Sequence, residues 1–193
     1  VTPSLNGCTG TAENFTITVN PTEDASFTLT DYCVGAANSA TITGTTGGTF
    51  AFNPAVTDGA TINPSTGAIS NGVGGTTYTV EYTTGGACTD VSTQDVLVKP
   101  IPTVDPVTPI VVCNGDAISV TFTGSETGTN YAWTNSVTTI GLAANGNGDI
   151  TSFNGINTGT TAVVSNLTVT PSLNGCTGTA ENFTITVNPT EDA

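Results

Sequence analysis

Five cysteines, fifteen carboxylates and one lysine hold most of the reactive chemistry in these 193 residues, and there is no histidine among them. Without histidine a mixed Cys/His zinc site has no nitrogen ligand. None of Cys8, Cys33, Cys88, Cys113 and Cys176 stands in the C-x-x-C spacing of a zinc knuckle or redox dithiol. Disulfides formed in an oxidising compartment are the reading that remains. Acid–base catalysis would have to come from carboxylate pairs. The adjacent acids, Glu23 with Asp24 and Glu191 with Asp192, lie just after Pro21 and Pro189 in segments that read as linkers. A linker cannot hold two acids at a set separation across a cleft, so the chain is expected not to be an enzyme. Hard oxygen ligands at domain junctions could instead bind calcium, with Glu23, Asp24 and Asp105 as the candidates. No D-x-D-x-D-G loop is present, and a solvated acidic surface accounts for the same residues, so the expected cofactor list is empty apart from that possible calcium. Lys99 is the only cation, and it precedes Pro100 at a domain exit. An isopeptide staple would need a dry strand centre, whereas that position offers water.

The charge balance of −14 would be repelled by a phosphate backbone or an anionic lipid surface, which sets aside nucleic-acid and membrane-surface partners. Apolar runs such as IVVC, ending at Cys113, are far shorter than the roughly 18 to 20 residues of a spanning helix, so no membrane insertion is expected. Charged residues make up 8% of the chain, against about a quarter in an average soluble protein. Abundant threonine and frequent glycine point to strands separated by tight turns, an all-β chain.

These strands must be placed within a repeat. Residues 1–25 recur unchanged as residues 169–193, an offset of 168. Within the period, PTEDASFTLTDYCVG from Pro21 resembles PTVDPVTPIVVCNG from Pro102. The sequence therefore divides into the C-terminal strands of a preceding repeat domain (residues 1–20), an immunoglobulin-like β-sandwich (21–101) and a second sandwich with the start of the next linker (102–193). With no methionine and a start at Val1, it reads as an interior portion of a longer polypeptide. DVLVKP and NFTITVNP alternate as closing strands, the latter turning Phe183, Ile185 and Val187 to one side. The strands before them face Tyr78, Val80 and Tyr82, or Leu167 and Val169, inward. Earlier strands are expected around ASFTLT, SATIT, TFAF, AISVTF and NYAW. About seven short strands per unit describe an immunoglobulin-like sandwich, and an odd strand count leaves the termini at opposite poles, so units string end to end.

Equivalent positions suggest the pairs Cys33 with Cys88 and Cys113 with Cys176. Cys8 is the repeat copy of Cys176 and is left unpaired in this stretch. Each bridge would stabilise a small sandwich by roughly 3 to 4 kcal/mol. Trp133 could be a sugar-stacking platform, but its strand context and its counterpart Phe52 in the first unit favour the core.

The stretches DASFTLTDYC, INPSTGAIS, TTYTVEYTTGGACTDVSTQDV and NYAWTNSVTTIGLAANGNGDITSFNGIN resemble the repeats of giant cell-surface adhesins and fibre proteins of Bacteroidota, including SprB-type gliding-motility adhesins. The second unit is similar to their PKD-like modules. The resemblance implies type IX secretion, an extracellular location at the cell surface and a stalk or filament role in adhesion or gliding motility. The partners would be neighbouring repeats. The rival reading is a β-sandwich module that binds surface glycans.

Overall fold

The computed structural model describes residues 1–190, which form an N-terminal extended segment and two β-sandwiches with separate hydrophobic cores. Glu191 and Asp192 lie outside the described residues. The N-terminal segment contains one small hairpin, β1 (Ser4–Leu5) with β2 (Cys8–Thr9), and residues 10–20 have no strand.

In the first sandwich the strands are β3 (Phe27–Thr28), β4 (Tyr32–Cys33), β5 (Thr41–Ile42), β6 (Thr49–Phe52), β7 (Thr61–Ile62), β8 (Ile69–Ser70), β9 (Thr77–Thr83) and β10 (Val91–Lys99). One sheet has the order β4-β10-β9-β6, and the pairs β3–β5 and β7–β8 complete the fold. The alternation in TYTVEYT has a direct physical result. Tyr78, Val80 and Tyr82 are buried, and Val96 and Val98 of β10 join them. Phe27, Phe50 and Tyr82 pack their rings together, with centroids 5.3 Å apart for the two phenylalanines and 4.6 Å for Phe50 and Tyr82. Fully burying a side chain of this kind contributes about 1.5 to 3 kcal/mol. The Tyr82 hydroxyl is also satisfied, donating to the Thr45 carbonyl at 2.8 Å and accepting from the Gly48 amide at 2.9 Å.

The second sandwich contains β11 (Ile110–Cys113), β12 (Ala117–Val120), β13 (Asn130–Asn135), a 3-10 turn (Thr138–Ile140), β14 (Asn145–Asn147), β15 (Ile150–Asn154), β16 (Val163–Leu173), β17 (Cys176–Thr177) and β18 (Glu181–Asn188). Its main sheet runs β11-β18-β16-β13-β14, and β12 pairs with β15. Leu167, Val169, Phe183, Ile185 and Val187 line the core. Both sandwiches are all-β and immunoglobulin-like. In both, the strand carrying the first cysteine runs parallel to the last strand: β4 on β10, with Cys33 opposite Lys99, and β11 on β18, with Cys113 opposite Asn188. This match fixes which residues correspond between the two units. Val96 opposite Tyr78 matches Ile185 opposite Ser165, so Trp133, opposite Val169, corresponds to Phe50, opposite Tyr82. The counterpart expected from the sequence, Phe52, is two residues away. Inward facing repeats every second residue, so the linear pattern fits either choice.

Candidate functional site

Each sandwich has a leading end, where the chain arrives and the final hairpin turns, and a trailing end, where the last strand finishes. The Glu23 amide, on arrival, donates to the Cys88 carbonyl at 3.4 Å, which places the turn between β9 and β10 at the leading end of the first sandwich. Cys33 lies opposite Lys99, at the trailing end. Cys88 and Cys33 are therefore separated by the length of β10, nine residues or about 30 Å at the rise of a strand. A disulfide spans at most about 7 Å between Cα atoms. The expected Cys33–Cys88 pair is thus ruled out by geometry. Cys113–Cys176 is ruled out likewise, because Cys113 is at the end of β18 whereas Cys176 precedes its start. The exit of a first strand parallel to the last strand lies at the end of that strand, not at the hairpin turn before it.

The structure instead joins Cys33 to Cys176, with their Cα atoms 5.7 Å apart. The bond runs from the trailing end of one sandwich to the leading end of the next. A second link runs beside it, the peptide Lys99–Pro100–Ile101–Pro102, whose prolines fix two backbone φ angles. Two glycines let this linker lie close to both bodies. A Cβ on Gly74 would be 3.0 Å from Pro100 Cα, and one on Gly178 would be 1.8 Å from the Pro102 carbonyl oxygen. Cys176 is 1% exposed, so the bond lies against the second sandwich. Cys8, Cys88 and Cys113 are free thiols, with Cys8 and Cys113 exposed.

The calcium candidates are spread apart. Glu23 accepts from the Gly86 amide at 3.1 Å, and a hydrogen bond from Thr84, opposed by desolvation, holds its carboxyl below the ordinary value. Asp24 accepts from the Ser26 hydroxyl at 2.5 Å and the Ser26 amide at 2.9 Å, and is lowered chiefly by that hydroxyl. Asp105, at the leading end of the other sandwich, accepts from Thr123 at 2.7 Å. Asp24 braces its own loop while Glu23 and Asp105 tie the arriving chain to other loops, and among the described residues no three Cys, Asp or Glu side chains converge as metal ligands. Trp133 is 7% exposed, donates from Nε1 to the Gly148 carbonyl at 3.1 Å and lies against Gly146, so its ring packs as a core element. The cleft near the junction is lined by Tyr32, Asn38, Asn71 and Gly72. There the Asn38 amide is already engaged with both the N–H and the C=O of Ile69, while the buried Tyr32 hydroxyl has no partner.

No protein-family profile and no curated protein sequence matches the chain. Among solved structures it is similar to the complex of Dpr11 IG1 with DIP-gamma IG+IG2, at 11% identity over 87% of this chain and 100% of that one, with a TM-score of 0.42. It is also similar to the fibronectin(III)-like modules of Clostridium thermocellum CbhA, at 17% identity over 89% of this chain and 97% of that one, TM-score 0.39. A third is the insect immune protein hemolin, at 14% identity over 87% of this chain and 47% of that one, TM-score 0.40. These similarities are to other immunoglobulin-like and fibronectin-like sandwich proteins.

Proposed function

We propose that the chain is a structural repeat in the stalk of an extracellular adhesin or surface filament, of the kind that giant Bacteroidota adhesins use in attachment and gliding. The observation that carries this reading is the disulfide from the trailing end of one sandwich to the leading end of the next. A disulfide inside a sandwich would stabilise that sandwich alone. One between sandwiches adds a second link beside the peptide and restricts bending and twisting at the junction, which is useful to a string and of little use to a catalyst. The unchanged recurrence of residues 1–25 at an offset of 168 supports the same reading, since it describes an array. The disulfide supports an oxidising location, which the proposal places outside the cell. Export by the type IX route and attachment at the cell surface belong to the same proposal. The acidic side chains at the leading ends act as loop braces and as a soluble coat, with calcium as an accessory that would need further ligands.

Small-angle scattering of the chain and of its Cys33→Ser variant tests this. The native chain is expected to give an elongated profile with a narrow spread of inter-sandwich distances, and the variant the same two bodies with a broadened spread. A compact native profile, with the sandwiches side by side, would overturn the stalk. Saturable binding on a glycan array, abolished by Tyr32→Phe, would favour the binding-module reading instead.

A further inference from the structure

We infer that Cys113 of one period and Cys88 of the next form a second inter-sandwich disulfide, so that every junction in the array has the same pair of links. This rests on the stalk reading above and adds a covalent site to it.

Each sandwich has one cysteine at each end. In the first, the trailing cysteine Cys33 is bonded and the leading one, Cys88, is free; in the second, the leading cysteine Cys176 is bonded and the trailing one, Cys113, is free. The free pair matches the bonded pair in detail. Cys33 stands opposite Lys99 and the following residue, Val34, donates its amide to the Lys99 carbonyl at 3.0 Å. Cys113 stands opposite Asn188 and the following residue, Asn114, donates to the Asn188 carbonyl at 2.8 Å. Cys176, in β17, and Cys88, between β9 and β10, both lie in the connection that precedes the last strand.

A second observation brings the free pair together. Asn20 and Asn188 are the same residue of the repeat, one period apart. The Cys88 sulfur lies 3.9 Å from the Asn20 carbonyl oxygen. Cys113 is the strand partner of Asn188. Superposing one period on the next therefore places both cysteines against a single residue, one from each side of the junction. Paired strands lie about 4.8 Å apart, and the Cα separation a disulfide accepts is about 4.4 to 6.8 Å. Cys8 fits the same scheme: as the copy of Cys176 it belongs to Cys33 one period earlier, so no thiol in the array stays free.

The bond forms by thiol–disulfide exchange. A protein or small-molecule disulfide in the oxidising compartment is attacked by one thiolate, giving a mixed disulfide; the second thiolate displaces it. The two thiols give up two protons and two electrons, and the oxidant leaves as two thiols.

The test uses two successive periods, the 193 residues followed by a second copy of residues 26–193. Cys88→Ser in the first period and Cys113→Ser in the second leave one copy of each cysteine in question, and Cys8→Ser removes the exposed thiol whose partner lies one period earlier. After oxidation with glutathione disulfide and digestion without reduction, the expected product is a peptide pair joining Cys113 to Cys88 in a protein of monomer mass. Alkylation of both as free thiols in a chain whose Cys33–Cys176 bonds have formed would overturn the inference, as would a disulfide-linked dimer. Scattering from the same sample separates the two readings. An extended particle with free thiols sinks the second staple and leaves the stalk, whereas a compact particle sinks the stalk itself.

Discussion

Residues 1–20 and 169–188 share one sequence, yet only part of it takes the same shape in both places. The Asn-Gly turn forms in each. Asn6 and Gly7 have φ of 51° and 85°, and Asn174 and Gly175 have 50° and 84°. Ser4 pairs with Thr9 as Ser172 pairs with Thr177, and the amide of Gly10 reaches Pro3, as that of Gly178 reaches Pro171, at 2.9 Å. The following stretch diverges. Phe183, Ile185 and Val187 are 4%, 0% and 0% exposed between β16 and β11, whereas Phe15, Ile17 and Val19 are 68%, 76% and 87% exposed with no strand on either side. A turn that needs two residues at positive φ is specified within its own few residues. A strand is specified by what flanks it, because its amides and its apolar face are satisfied only by neighbours.

Hydrogen exchange can break this comparison most sharply. A peptic peptide covering ENFTITV arises from both copies, and it is expected to show two mass envelopes, with the buried copy exchanging slower by about a thousandfold or more. A single envelope would mean that the copies share one environment. Next in size is the core contact. Ile185→Ala is expected to destabilise the second sandwich by about 2 to 4 kcal/mol in denaturant unfolding, and Ile17→Ala by less than about 0.5 kcal/mol. Equal losses would show that the first copy is packed too. The smallest difference concerns the turn itself. Gly175→Ala, at positive φ, is expected to cost about 1 kcal/mol of global stability, while Gly7→Ala removes the β1–β2 pairing, seen as lost cross-strand NMR contacts, and leaves the unfolding midpoint in place.

The strands most legible from sequence were those with a long period-2 pattern. β9, β10, β16 and β18 carry alternating side chains that are buried on one face, and Trp133 went to the core because its strand is central. The short pairs were less legible. β7 and β8 have two residues each, too few for a periodicity, and β14 is the sequence NGN, which reads as a turn. Cysteine pairing failed for a different reason. Sequence position gave each cysteine its neighbouring element but not the direction in which that element runs, and Cys33 and Cys88 are separated by the length of β10 because β4 runs parallel to it. The hydrogen bonds of the acidic residues to Ser26, Gly86 and Thr123 depend on loop folds that composition does not encode.

In the proposed array, the parallel pairing of β11 with β18 would decide how the string answers tension. A pull along the array draws β11 toward the leading end and β18 toward the trailing end, so the two slide past one another. Their contacts from Ile110 to Cys113 are then strained together, in shear, rather than unzipped in turn. The corresponding contact in the first sandwich involves only Tyr32 and Cys33. The Cys33–Cys176 bond passes the pull from β4 straight into the next sandwich through sulfur, so this short contact is shielded from shear. Under load, a sandwich whose trailing cysteine is bonded onward is bypassed covalently, and reduction of that bond puts its terminal strands back under shear.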